Sequence, residues 1–413
     1  MKKAVMYGAG NIGRGFIGQL FSQSGYQVVF LDINPLIVDR LNSDGRYPIR
    51  IIKDSSETEI YVEGVRSVNG AELEKAAAEI AAADIMATAV GVNVLPRIVK
   101  TIAAGLKKRW AGGNFHPLNI IICENLMDAN RFLERLIKLE LEERERGYFD
   151  ETVGLVEASI GRMVPAVTPE MQSHNPLLIR VEEYCELPVD RDAFKGDIPQ
   201  IVNMKPFSPF AFHIQRKLYM HNMAHALISY LGFHQGRGFI WEACKDPTVK
   251  LIGLRALMEA SGALSLEHGV PLLELYEFSE DLMYRFGNRL LGDTVERVGK
   301  DPVRKLSGND RLVGSSTLCL KHGIMPVYIS LGIAAGFLFA PAGDEMALKV
   351  QSVLRDRGIE ETVEEFCGID SSSPLFGSIV EFYGMLSGGR GLEEVFERAE
   401  KMKRTSSLPL LAS

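Results

Sequence analysis

The chain has 413 residues, 46% hydrophobic and 24% charged, which fits two to three ordinary soluble domains and excludes intrinsic disorder, collagen and low-complexity architecture. Lys plus Arg number 46 against 53 Asp plus Glu, a net charge of −7. A general binder of nucleic acid or of anionic membranes is therefore a poor fit, which leaves room only for a local basic pocket for a small phosphate. The five cysteines, Cys123, Cys185, Cys244, Cys319 and Cys367, are scattered and form no CxxC pair. Neither a disulfide framework nor a thiolate zinc site is expected, and a reducing cytoplasm is. Met1-Lys2-Lys3 begins like a signal sequence, but Gly8, Asn11 and Arg14 interrupt the apolar run that would have to follow.

In chain order, Lys3 to Tyr7 is a short apolar run ending in glycine, and Asn11 to Ser24 has helical spacing through Ile12, Phe16, Ile17, Leu20 and Phe21. Gln27 to Leu31 reads as a second strand and Asn34 to Leu41 as a short helix. Tyr47 to Ile52 and Glu59 to Val62 alternate like a small hairpin. Ala71 to Ala81 is a helix, Ala83 to Val90 a buried strand, Leu95 to Leu106 a helix and Asn119 to Cys123 a strand. Ala129 to Glu145 is helical and charged on one face, and Val153 to Ala158 and Leu177 to Glu183 are further strands. This alternation with short connections predicts an α/β domain, a doubly wound Rossmann-type parallel sheet with helices on both faces.

Beyond about Met204 strand signals become rare. Ala211 to Leu231, Pro247 to Glu267, Pro271 to Leu290, Glu345 to Arg357, Ser378 to Leu386 and Leu392 to Lys403 all read as helices. The boundary is expected within Gly196 to Pro209, giving a dinucleotide domain over residues 1–200 and a mostly α-helical domain over 201–413. Gly323 to Gly343 carries no charge and has the length of a membrane span. It also holds Pro326, Pro341, Gly332 and Gly336, has no basic flanks and has no companion span, so a buried helix is expected. The tail Ser406 to Ser413 is expected to fray.

Gly8-Ala9-Gly10-Asn11-Ile12-Gly13 is a GxGxxG motif between a predicted strand and a predicted helix. Its first glycine permits the tight turn, the second lets backbone approach a pyrophosphate, and the third lets helix pack on strand. The helix N-terminus supplies free N–H groups and the positive end of a dipole. Asp32 ends the second strand, 19 residues after Gly13. A carboxylate there suits the adenosine ribose hydroxyls and repels a 2′-phosphate, which favours NAD over NADP. Asn34, Val90 and Gly91 follow strand ends on the same side. Asn125, after Cys123-Glu124, is either a donor to substrate or cofactor or the N-cap of the next helix.

Lys217, His221, Asn222 and His225 concentrate polar groups in an apolar helix. At about 100° per residue, His221 lies about 40°, His225 about 80° and Asn222 about 140° from Lys217, with Met220 and Met223 opposite. Hydride transfer needs a base for the hydroxyl proton, a donor for the alkoxide and a group to orient the substrate. A buried lysine beside positive charge can be that base; the alternative is a solvated helix face. The i, i+4 pair His221 and His225 also has metal-ligand spacing, but the glutamate of a metalloprotease is replaced by Asn222 and no third ligand is evident, so no metal is expected.

These motifs together, the glycine run extended through Gly18, the Cys-Glu-Asn125 turn and Lys217-x4-Asn222-x2-His225, resemble the polyol-specific long-chain dehydrogenases, and within them the mannitol-phosphate branch. Gly161-Arg-Met-Val-Pro165, Ala193-Phe-Lys-Gly196, Val295-Glu-Arg-Val-Gly299 and Pro302-Val-Arg-Lys-Leu-Ser307 match as well, so the resemblance covers about residues 3 to 400. It implies a Rossmann-type domain followed by a helical domain with the active site between them, and a metal-independent, NAD-linked oxidation of D-mannitol 1-phosphate to D-fructose 6-phosphate. In that scheme Lys217 is the general base, Asn222 and Asn125 stabilise the oxyanion, and His225 orients the substrate. Arg304 and Arg311, in a short Gly/Ser-containing segment, are the candidates for a cationic phosphate clamp. Gly161 stands where the family usually carries Asp, and Met223-Ala224 where the branch usually carries Thr-Gly. Free mannitol, a hexuronate (fructuronate or tagaturonate), and a non-catalytic NAD-binding protein are the alternative readings. A monomer or homodimer is expected.

Overall fold

The computed structural model describes residues 2–53, 56–126, 128–165 and 169–406. The chain divides into two compact units, 1–214 and 215–413. The first is built on a six-stranded sheet of order β5-β2-β1-β6-β7-β8. Its strands are β1 (Lys3–Tyr7), β2 (Gln27–Asp32), β5 (Val65–Asn69), β6 (Ile85–Thr88), β7 (Leu118–Ile122) and β8 (Val153–Glu157). All neighbouring pairs are parallel. Counted along the sheet this is the 3-2-1-4-5-6 order of a doubly wound fold, whose switch point lies between β1 and β6.

The alternation within β1 shows why such strands read as unbroken apolar runs. Ala4 and Met6 pack with Phe16, Leu20 and Phe30 on one face. Val5 and Tyr7 pack with Leu31, Ile98 and Leu106 on the other. Both faces are covered, so the strand is buried from Ala4 to Tyr7.

The hairpin is β3 (Arg46–Lys53) and β4 (Ser56–Glu63), antiparallel over its full length. The expected strand Leu177 to Glu183 is β9 (Ile179–Glu182), but it does not extend the main sheet. It pairs in parallel with β3, forming a separate three-stranded sheet. Two short strands without a sequence signal, β10 (Leu187–Asp190) and β11 (Met204–Phe207), form a further parallel pair. The single helix expected over Ala129 to Glu145 is two, Ala129–Leu139 and Glu143–Thr152. The break is marked by a capping box in which the Glu145 side chain accepts from the Glu142 amide at 2.8 Å.

The second unit opens on a π-turn, Lys217–Asn222, that runs into the helix Met223–His234. That helix is buried all round through Met223, Ala226, Leu227, Ile228, Tyr230 and Leu231, the mark of a central helix. A second central helix, Val327–Gly336, is buried at every one of its 10 residues. It is the part of Gly323 to Gly343 that is helical, and among the described residues no helix is long and apolar enough to cross a membrane. Around this pair stand Pro247–His268, Leu272–Phe286, Arg311–Lys321, Glu345–Cys367, Pro374–Ser387 and Leu392–Ser406. Glu345–Cys367 is two helices that meet at a non-helical Gly358 at φ 79°, so the first of them ends at the expected Arg357. The end of the tail, from residue 407, lies outside the described residues.

Candidate active site

The glycine motif sits at the carboxyl end of β1, beside the switch point. Gly8 adopts φ +99°, and a Cβ on Gly13 would lie 1.9 Å from the Gly8 carbonyl oxygen. The first and third glycines are therefore demanded by the protein's own backbone. Gly10 is different: a Cβ there would meet nothing within 4 Å. An open cradle at the middle glycine, at the start of the helix that begins at Asn11, fits the phosphates of a dinucleotide. Ile12 and Gly13 lead directly into the first turns of that helix.

Asp32 grips the loop it was expected to face. Its Oδ2 accepts from the Ala9 amide at 2.6 Å and its Oδ1 from the Asn34 amide at 2.9 Å. Each oxygen keeps a lone pair for a further donor. The Asn34 side chain caps the helix Pro35–Asp44 by accepting from the Leu36 amide at 3.1 Å. Val90 and Gly91 donate their amides to Oε1 and Oε2 of Glu124, at 2.9 and 2.8 Å. Glu124 thus ties the turn after β6 to the turn after β7. Asn125 is exposed, and the N-cap of the helix Ala129–Leu139 is Asp128 rather than Asn125.

Sequence reading missed two buried arginines in this unit. The Gly13–Ile17 stretch is a π-turn, whose i→i+5 bonding disrupts the regular carbonyl ladder. Side chains supply donors there: Tyr47 Oη donates to the Arg14 carbonyl at 2.7 Å, and Arg162 Nη1 to the Gly15 carbonyl at 3.0 Å. Arg14 itself donates to the carbonyls of Ala9 at 2.6 Å and Leu177 at 2.7 Å. Its donors end on neutral groups, so its charge remains beneath the loop, where it suits an anion. Burial lowers the Arg14 pKa. The only available signals were the Arg14 and Arg162 positions inside quoted motifs.

In the second unit the Lys217–Asn222 π-turn means the 100° wheel does not apply to the candidate face. Met220 and Met223 are fully buried as expected, whereas His221 is buried too, at 6% exposure. Lys217, Asn222 and His225 are half-buried. The His221 and His225 rings stand edge to face with centroids 6.0 Å apart. Burial, followed by the nearby Arg311 charge, lowers the Lys217 pKa to about 8. Burial also holds His221 well below its ordinary value, helped by Arg285, His225, Lys217 and Arg311. Among the described residues no set of three His, Cys, Asp or Glu side chains is arranged to hold a metal ion.

The segment carrying Arg304 and Arg311 is more ordered than its composition indicates. Arg304 lies in a helical turn, Pro302–Lys305, and Arg311 is the first residue of Arg311–Lys321. Both converge on Asp310: Arg304 Nη1 lies 3.1 Å from its Oδ2 and Arg311 Nε 2.7 Å from its Oδ1. Arg304 also pairs with Asp301 at 3.1 Å. Arg304 is exposed and Arg311 is 7% exposed. The intervening Lys305 is turned inward, its Nζ donating to the carbonyls of Val298, at 2.6 Å, and Lys300. It closes the carbonyl end of the helix Val295–Gly299, and burial with Arg311 and Arg304 lowers its pKa to about 7. Two further residues went unread in the sequence: the buried Asp293, beside His225, and its exposed i+4 partner Arg297.

A separate cavity of about 590 Å³ in this unit is lined by Arg255, Glu259, Tyr276, Tyr328, Glu400 and Lys403 among others. None of the candidate residues lines it. Its buried Glu259 is held by Lys403 at 2.8 Å and by the Tyr328 and Ile329 amides at 3.1 and 3.2 Å.

A parallel sheet with a GxGxxG turn at its switch point, followed by a helical unit carrying a pKa-lowered lysine, has the architecture of a two-domain dehydrogenase. Residues 2–203 match the family described as the mannitol dehydrogenase Rossmann domain, and residues 210–370 match the mannitol dehydrogenase C-terminal domain. The chain belongs to the mannitol dehydrogenase family, a group of oxidoreductases. It is 37% identical over 398 residues to mannitol-1-phosphate 5-dehydrogenase of Thermoanaerobacter pseudethanolicus, covering 96% of this chain and 100% of that one. It is also 37% identical over 380 residues to the enzyme of the same name from Halalkalibacterium halodurans, covering 92% and 99%. Among solved structures it resembles Pseudomonas fluorescens mannitol 2-dehydrogenase in ternary complex with NAD and D-mannitol, with TM-score 0.75 and 16% identity over 97% of this chain and 94% of that one. A substrate-free D-sorbitol dehydrogenase gives TM-score 0.79 at 13% identity, covering 96% and 95%. These two likenesses bear on the fold.

Proposed function

We propose that this chain is an NAD-dependent dehydrogenase of a sugar-alcohol phosphate, interconverting D-mannitol 1-phosphate and D-fructose 6-phosphate. The observation that carries this reading is the 37% identity, over the full length of the relative, to a mannitol-1-phosphate 5-dehydrogenase. The glycine cradle at Gly8, Gly10 and Gly13 and the carboxylate of Asp32 are the residues that would hold NAD, which accepts a hydride from the alcohol carbon. Lys217, with its pKa lowered to about 8, takes the hydroxyl proton onto Nζ as the hydride leaves. Asn222 and Asn125 offer neutral amide donors to the developing alkoxide, and His225 orients the sugar chain. Arg304 and Arg311 serve the phosphate, sharing Asp310 until a ligand competes for them.

The test is NADH oxidation with fructose 6-phosphate, fructose, fructuronate and tagaturonate as parallel substrates. A preference of at least about 100-fold in kcat/KM for fructose 6-phosphate is expected, since two charge-assisted contacts are at stake. Comparable rates with fructose would remove the phosphate from the proposal, and activity confined to a hexuronate would replace it.

Asp32→Ala should weaken NAD binding about tenfold, the usual cost of losing hydrogen bonds to a charged acceptor. NADP binding should fall less, because a repulsion disappears with the carboxylate. Equal losses for the two nucleotides, measured by fluorescence titration of the reduced forms, would mean that Asp32 only braces the loop through Ala9 and Asn34.

A further inference from the structure

One ring nitrogen of His225, Nε2, faces Asp293. Nε2 is sealed from solvent and makes no formed hydrogen bond; Oδ2 of Asp293 stands 3.4 Å from it. The ring lies flat on Phe286, with centroids 4.6 Å apart and planes 6° from parallel, which sets the plane of the ring. Asp293 is equally fixed. It is 6% exposed, its Oδ1 pairs with Arg297, and its carbonyl accepts from the Ile240 amide at 2.9 Å.

The charges around the ring determine how many protons it carries. Burial, Arg297 and Lys305 disfavour the imidazolium, while Asp293 favours it, and the balance lowers the His225 pKa. Burial opposes the ionised form of Asp293, but His225 and Arg297 outweigh it, and its pKa is lowered. A neutral imidazole has one N–H, and an ionised carboxylate offers only acceptors. The hydrogen therefore belongs on the nitrogen that faces Asp293.

We infer that Asp293 is a positioning residue that fixes His225 as its Nε2–H tautomer, so that His225 meets the substrate through Nδ1 as a hydrogen-bond acceptor. The group it recognises is then a hydroxyl of the polyol, which can donate, and not the carbonyl or alkoxide oxygen, which cannot. This inference rests on the proposed role of His225 in orienting substrate. It divides the work of the site: amide donors meet the oxygen that changes charge, and His225 reads a hydroxyl that does not react.

The tautomer is directly observable in long-range ¹⁵N–¹H correlation spectra of the ¹⁵N-histidine-labelled chain, with the His225 signals assigned by their loss in His225→Ala. The Nε2–H pattern is expected; an Nδ1–H or doubly protonated pattern at neutral pH overturns the inference. Asp293→Asn keeps the shape but can donate to Nε2, which would invert the tautomer, as the equivalent exchange does in serine-protease triads. A fall of about 100-fold in kcat/KM for the polyol is expected, with NADH affinity within twofold of the parent. Adding Asp293→Asn to His225→Ala should cost nothing more, because the two act as one unit. A fall of less than threefold, or losses that multiply in the double variant, also overturns it. If Asp293→Asn does not fold, the spectrum of the unsubstituted protein still decides. A Lys217→Ala variant that stays active would refute the reading of the reaction and leave the tautomer result unaffected.

Discussion

Lys217→Ala is expected to lower kcat about 1,000-fold in both directions, within the range supplied by a positioned acid or base, and to leave NADH affinity unchanged. The glycine turn and Asp32 belong to the first compact unit and are untouched by the substitution. The pH profile gives an independent check. Alcohol oxidation requires the neutral amine, so its rate should rise with pH to a plateau above about 8. Ketose reduction requires the ammonium form and should fall over the same interval. Arg311 is the charged neighbour that lowers the Lys217 pKa, so Arg311→Gln should move both profiles to higher pH, even in assays saturated with substrate. Profiles unmoved by Arg311→Gln, together with near-parental rates for Lys217→Ala, would leave the reaction without a base in the second unit.

Gly13→Ala and Gly10→Ala should separate folding from cofactor binding. At Gly13 a methyl group would stand 1.9 Å from the Gly8 carbonyl oxygen, a backbone atom that cannot yield unless strand and helix part. A cost of about 3 kcal/mol is expected, lowering the Tm of that unit by about 6–12 °C, with NADH binding lost alongside. At Gly10 the same methyl meets nothing within 4 Å, so the Tm should stay within about 1 °C. NADH affinity should nevertheless fall at least about tenfold, because the methyl group fills the space the phosphates need. Calorimetry and fluorescence titration on the two variants decide the matter. Unaltered NADH binding by Gly10→Ala would place the nucleotide elsewhere.

The dinucleotide half was legible because each signal is local. The glycine spacing, an apolar run before it and a carboxylate at the end of the next strand lie within Lys3 to Asp32, and no distant contact is needed to interpret them. The strand β9 misled for the opposite reason. Ile179–Glu182 has the composition of a central strand, yet its partner is chosen by the hairpin strand β3, and nothing in four residues states which sheet they join. Lys305 illustrates the same limit for the site. Its position between Arg304 and Arg311 makes it look like part of a basic loop, but its ammonium is bound to backbone carbonyls, which sequence does not display. Asp293 was missed because a single acid ahead of a short helix resembles any other cap, and its contact with His225 spans 68 positions. The candidate face was chosen by residue type, and its angular layout was not legible, because the wheel assumes uniform α-geometry and Lys217–Asn222 is a π-turn.

The π-turn at Lys217–Asn222 has a consequence for how this helix can change over time. A straight α-helix ties every residue to one periodic pattern, so a polar side chain added to its buried face is a defect that the core must absorb. A wider turn works like a syncopation, displacing a few side chains from the beat while the turns that follow resume it. Met220, Met223 and Leu227 keep the rhythm of the core, and Lys217 and Asn222 are held in the offset. Lys217 and Asn222 can therefore be retained for the proposed chemistry while the apolar positions that follow them are free to suit the core.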